Sequence, residues 1–198
     1  MMTHHSLTAL KTLCVAAVLL AGCRSPRVTF YTLNAAATPA VAATPAGTPA
    51  SIAVGPVTLP EMTDRPQLVL RVAANRVEIL EMQRWAAPLK SEIPRILAED
   101  LAMQLHSNRV TAYPQNAGAD AACRVQVDVQ RFEAGPGKEV TVDALWSIRR
   151  TGDQATKTGR SVIREPAGDG SYDALVAAYG RALAAVSHDI AQALQTAN

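Results

Sequence analysis

Few residues in this 198-residue chain could bind a metal or act as nucleophiles, since it has only three cysteines and four histidines. His106 and His188 lie far apart in the sequence, and a zinc site needs three or four ligands that converge. Ser187, His188 and Asp189 are consecutive. Successive side chains of a helix point about 100° apart, so these three do not form a catalytic triad. The histidines therefore predict neither a metal centre nor a hydrolase.

Carboxylates and glycines give no stronger sign of catalysis. Glu99 and Asp100 are adjacent on a predicted helix and are typical of a solvated face, whereas Glu61 and Asp64 flank a predicted loop. The glycines do not form a phosphate-binding motif. We therefore predict no catalytic residue, no metal and no cofactor, and a protein that is not an enzyme.

Cys23 is the one residue whose surroundings specify a reaction. An apolar run over residues 13–20 follows Lys11 and is too short to span a bilayer as a helix, so it indicates the core of an export signal. The run ends in Leu20, Ala21, Gly22 and Cys23, which resembles the bacterial lipobox at every position. Residues 1–22 are predicted to be removed and Cys23 to be lipidated. The alternative is an ordinary secretory signal that happens to contain a cysteine.

The predicted anchor places the protein at a membrane of the cell envelope. Several acyl chains on one residue hold a protein firmly, because each buried CH₂ contributes about 0.8 kcal/mol. In Gram-negative lipoproteins, the residue after the cysteine influences sorting. Arg24 stands there instead of aspartate, which favours the periplasmic face of the outer membrane over the inner membrane.

Charge and cysteine usage exclude other classes. After removal of residues 1–22, 18 basic and 17 acidic residues remain, without a block of like charge. The sequence therefore lacks the cluster of basic residues with which proteins bind nucleic acid. Cys123 is left as the single unmodified cysteine, so no disulfide can form within the domain. It lies in a strand pattern and is interpreted as a small buried residue, with a reactive thiol as the alternative.

Periodicity predicts one α+β domain, an α/β sandwich. Residues 23–33 form the lipidated N-terminus with a first short strand at 28–33, and residues 34–50 form an Ala/Pro/Thr-rich flexible loop or tether. The main domain then covers residues 51–198. Alternating apolar residues predict a mixed, largely antiparallel sheet, with strands at 51–59, 67–72, 77–82, 110–113, 123–130, 140–148 and 155–165.

Two main helices are predicted to pack on this sheet. Pro88 suits the first turn of the first helix, although Pro94 would also allow a start near Ser91 or Ile93. Ser171 is a good N-cap for the second helix, whose apolar face could pack on the sheet or bind a partner. The apolar stripes are Leu89, Ile93, Ile96, Leu97, Leu101 and Leu105 in the first helix, and Tyr172, Leu175, Val176, Tyr179, Leu183, Val186, Ile190 and Leu194 in the second.

The mature sequence resembles the ABC-type transport auxiliary lipoproteins, the paraquat-inducible protein C (PqiC) group. The most specific stretch is residues 54–69, and further matches occur at residues 31–33, 85–89, 125–132, 140–146 and 170–173. This chain departs from the family at Met62-Thr63, where an aromatic residue and leucine are frequent. It also departs at Ala87, where a polar or acidic residue is frequent.

The resemblance implies a part in lipid trafficking across the envelope. Such lipoproteins accompany inner-membrane transporter subunits and a periplasmic MCE-domain protein, so this chain would be the docking partner at the outer membrane, as a monomer or a homo-oligomer. An assembly factor for an outer-membrane machine and a lipid-carrying protein remain alternatives. The candidate partner interface consists of Glu61, Asp64, Arg65, Pro66, Trp85, Pro88 and Leu89, with Trp85 either in the interface or in the core.

Overall fold

The computed structural model describes residues 26–36, 48–114, 120–135, 139–152 and 155–196. The export signal, Cys23, most of the 34–50 segment and most of the turn at 135–137 lie outside these ranges. The elements in chain order are β1 Thr29–Tyr31, β2 Ile52–Thr58, β3 Gln67–Ala73, β4 Arg76–Trp85, α1 Leu89–Gln104, β5 Val110–Ala112, β6 Cys123–Gly135, β7 Glu139–Arg150, β8 Thr156–Pro166 and α2 Tyr172–Gln195.

Within the described residues, β6 lies in the middle of an eight-stranded mixed sheet. One of its edges pairs with β7 in an antiparallel ladder, and β7 pairs with β8 in the same way. Its other edge is shared, because β2 runs parallel to its first half and β3 meets its far end at Ala134. Strand β5 then extends the sheet beyond β2, while β4 and β1 extend it beyond β3.

The α+β fold is confirmed, and the description of the sheet as largely antiparallel needs a correction. The longest ladders are antiparallel, but four of the seven strand pairings within the described residues are parallel. Strand β2 is buried on both faces, as is typical of a strand that lies between parallel neighbours, here β5 and β6. Alternation in the sequence indicates a strand, but it does not specify the strand's direction relative to its partner.

Both helices pack on one face of this sheet, and their predicted stripes are buried there. Helix α1 begins at Leu89 in spite of Pro94, which lies inside it. The hydroxyl oxygen of Ser171 accepts a hydrogen bond from the Ala174 N–H (3.1 Å), which confirms the predicted cap of α2. The apolar face of α2 is therefore part of the core, and it is not a free surface for a partner.

Two glycines, one in β8 and one in α2, allow neighbouring groups to approach the backbone closely. A Cβ at Gly159 of β8 would lie 2.1 Å from the Trp146 ring, whose Nε1–H donates to the Ser161 hydroxyl. A Cβ at Gly180 would lie 2.8 Å from the Asn34 carbonyl oxygen. Residues 34–50 connect β1 to β2, and both of these strands belong to the same sheet.

Candidate partner-docking site

A compact turn precedes β3 and carries four of the residues predicted to contact a partner. Thr63 is buried, and both its N–H and its hydroxyl donate to the Pro60 carbonyl oxygen, each at 3.0 Å. The Asp64 N–H donates to the same oxygen, and the Arg65 N–H donates to the Thr63 carbonyl. These backbone bonds hold Asp64, Arg65 and Pro66 in a fixed arrangement.

A corner between β4 and α1 lies directly beside this turn. The Trp85 N–H donates to the Pro66 carbonyl oxygen (2.7 Å), and the Ala86 N–H donates to the Tyr31 carbonyl oxygen (2.8 Å). Lys90, in the first turn of α1, forms an ion pair with Asp64 at 2.5 Å. The corner therefore binds the turn on one side and strand β1 on the other.

The turn and the corner enclose an open depression with a volume of about 280 Å³. Six of the seven predicted interface residues line it, and the remaining one, Glu61, is exposed on the same turn. The exposed rim consists of Pro66, Ala86 and Pro88. We name this depression, lined by Asp64, Arg65, Pro66, Trp85, Ala86, Ala87, Pro88 and Leu89, the corner pocket.

Trp85 and Leu89 are core residues that contribute only the floor of the corner pocket, since they are 7% and 2% exposed. The Trp85 ring packs against Phe132 and, edge-on, against Tyr179, with ring centroids 6.3 and 5.9 Å apart. Phe132 stacks on Tyr179 at 4.1 Å. Burial raises the pKa of the Tyr179 phenol, which stays neutral. These contacts show that Trp85, which the sequence left either in the interface or in the core, is a core residue.

Arg65 has the least satisfied side chain at the pocket. Its Nε lies buried without a hydrogen-bond partner among the residues that the structure describes. A buried donor without an acceptor costs about 1–3 kcal/mol. The burial of this Nε could not be predicted from the spacing of residues in the sequence, because it depends on how the turn folds.

Groups that could support catalysis are dispersed. Ser187 is fully buried, His188 is exposed and contacts Gln192, and Asp189 accepts a hydrogen bond from Ser161. Burial raises the pKa of the Cys123 thiol to about 11, so it is protonated at neutral pH. Within the described ranges, no three histidine, cysteine or acidic side chains lie close enough together to hold a metal ion.

Comparison with known proteins identifies the family. Residues 31–191 match the model of the ABC-type transport auxiliary lipoprotein component family. The chain belongs to this family. As a member of the ABC-type transport auxiliary lipoproteins, it is a component of a transport system, and the resemblance drawn from residues 54–69 and the shorter motifs is confirmed. No match is found among curated proteins.

Solved structures share the fold of this auxiliary lipoprotein at low sequence identity. An uncharacterized protein has a TM-score of 0.68 and 18% identity, covering 85% of this chain and 99% of its own. Protein XCC0632 from Xanthomonas campestris, of the DUF330 family, has a TM-score of 0.64 and 18% identity, covering 82% and 92%. At these identities the likeness shows the fold alone.

Proposed function

We propose that this auxiliary lipoprotein is anchored in the outer membrane through Cys23 and docks a periplasmic MCE-domain protein of a lipid transport system. The observation that carries the proposal is the corner pocket, which gathers six residues from two separate sequence motifs beside β1. The protein acts by binding and has no catalytic part in transport.

The position of the pocket relative to the anchor supports this role. Thr29 is the sixth residue after Cys23, so β1 begins within about 20 Å of the lipidated residue. The end of β1 pairs with Trp85, and the corner pocket lies next to that pair. A partner that reaches the pocket is therefore brought close to the membrane surface. No helix in the described part of the chain is long and apolar enough to cross a bilayer.

A protein that carries lipid inside its core is a weaker candidate. Such a carrier needs an apolar cavity of several hundred Å³. The cavity beside Trp85, Leu89, Phe132 and Tyr179, where the core meets the corner, has a volume of only about 10 Å³. An assembly factor for an outer-membrane machine would use the same anchor and differs from the docking proposal only in its partner.

Ala86→Arg is expected to weaken capture of the MCE-domain protein at least about tenfold in co-purification from membranes, because an arginine side chain on the rim blocks access and places a second cation beside Arg65. The Ala86 side chain is exposed, so the domain should keep its fold and its circular dichroism spectrum.

Ala74→Arg provides the matched control, because Ala74 is also exposed but lies in the turn between β3 and β4. It should capture the partner as the natural protein does. Equal capture by both variants would show that the corner pocket is not the docking site.

A further inference from the structure

Two arginines face each other directly on the sheet face opposite the helices. Arg124 of β6 and Arg149 of β7 are register partners, and their neighbours Cys123 and Ile148 point into the core. Side chains at such positions have Cβ atoms about 5 Å apart, and like charges directly opposite destabilise a sheet. The pair therefore has an energetic cost unless an anion lies between the two guanidinium groups.

Three other arginines on this face have carboxylate partners. Arg71 and Arg131 pair with Glu133, and Arg160 pairs with Asp143 at 2.7 Å. These hydrogen bonds lower the pKa values of Glu133 and Asp143. In contrast, no ion pair within the described ranges includes Arg124 or Arg149.

Arg124 is held in place for binding. Its guanidinium carbon lies 5.1 Å from the centre of the Tyr113 ring, a cation–π contact that restricts the side chain without neutralising its charge. An open depression of about 540 Å³ exposes both arginines together with Gln126, Arg150 and Thr151, and among the residues that the structure describes Asp120 is the one carboxylate that lines it. Arginine binds the oxygens of phosphate in a bidentate manner, so this is suitable chemistry for a phosphate group.

A second depression continues from the first at Gln126, which lines both. It has a volume of about 580 Å³, and its lining includes the exposed apolar residues Pro56 and Leu145 together with the polar residues Thr58, Asp128 and Arg160. Leu145 is 42% exposed in the middle of β7. Together the two depressions form a groove with a cationic end and an end that exposes Leu145, which we name the arginine groove.

We propose that the arginine groove binds an anionic phospholipid, with the phosphodiester between Arg124 and Arg149 and the beginning of an acyl chain over Leu145. The groove is open to solvent, so it holds the headgroup at the surface and does not enclose the lipid. This site lies on a different part of the sheet from the corner pocket and does not depend on the docking proposal.

Native mass spectrometry tests the site on the full lipidated protein, released from detergent micelles that contain phosphatidylglycerol. The double variant Arg124→Gln/Arg149→Gln is expected to retain at least about tenfold less bound phosphatidylglycerol, because it loses charge-assisted hydrogen bonds. Leu145→Ser should also retain less. Arg164→Gln is the control, because it removes an exposed arginine of β8 on the same face of the sheet. This variant should bind phosphatidylglycerol as the natural protein does.

Two results would overturn the proposal. Phosphatidylglycerol binding that is unchanged in the double variant, with a natural circular dichroism spectrum, would show that the arginine pair is not the site. Complete displacement of the lipid by equimolar inorganic phosphate or glycerol phosphate, together with no effect of Leu145→Ser, would show that the groove binds free phosphate esters and not a phospholipid.

Discussion

Cys23→Ser is expected to abolish acylation and to leave residues 1–22 attached, so that the protein gains the mass of the export signal and loses its lipid. The thiol of Cys23 is the acceptor of the diacylglyceryl group, and serine offers a hydroxyl that the lipid transfer does not use. Incorporation of labelled palmitate and the intact mass of the purified protein measure both effects. Two acyl chains contribute far more binding free energy than the single chain that holds a protein only marginally.

Cys14→Ser is the matched control, because Cys14 lies in the apolar run of the same signal. This variant should be lipidated and cut as the natural protein is. If the natural protein were cleaved before residue 23 but carried no lipid, residues 1–22 would be an ordinary secretory signal. A further variant, Arg24→Asp, is expected to move the lipidated protein from the outer to the inner membrane in fractionated cells.

Trp85→Ala is expected to lower the free energy of unfolding by about 3–5 kcal/mol, because it leaves a cavity between Phe132, Tyr179 and α1. A loss of this size is a large part of the stability of a single domain, so much of the variant is expected to unfold at 37 °C. Chemical unfolding followed by circular dichroism, with the lipidated chain in non-ionic detergent, measures the change.

Phe30→Ala is a control of the same chemical kind, since Phe30 is an aromatic residue that is 63% exposed on β1. Its truncation should change the unfolding free energy by no more than about 0.5 kcal/mol. If Trp85→Ala were as stable as Phe30→Ala and yet failed to capture a partner, Trp85 would be an interface residue and not a member of the aromatic cluster.

The elements that bury one face were predictable from the sequence. The alternation in β6 and β7 and the stripes of both helices depend on local periodicity, and all of them occur where they were expected. The fold class follows from those elements. The directions of β2 and β5 relative to their partner strands could not be predicted from the sequence. Parallel pairing is set by contacts between distant segments, such as Ile52 with Val110 and Cys123.

The candidate site was predictable only in part. Family motifs pointed to the turn at Asp64–Pro66 and to the corner at Trp85–Leu89, and the structure brings them together. The motifs did not reveal that Trp85 and Leu89 are buried, since an aromatic residue at the end of a strand can face either way. The arginine groove was also missed, because Arg124 and Arg149 become neighbours only through the register of β6 with β7.

Photo-crosslinking in living cells from position 86, followed by mass spectrometry of the captured protein, tests the docking role most directly. The exposed Ala86 side chain can be replaced by a photoreactive amino acid without disturbing the core, and position 74 serves as the control. The docking account predicts capture of an MCE-domain protein from position 86 and not from position 74. Capture of an outer-membrane β-barrel from position 86, or of no protein while the chain is folded and at the outer membrane, would contradict it.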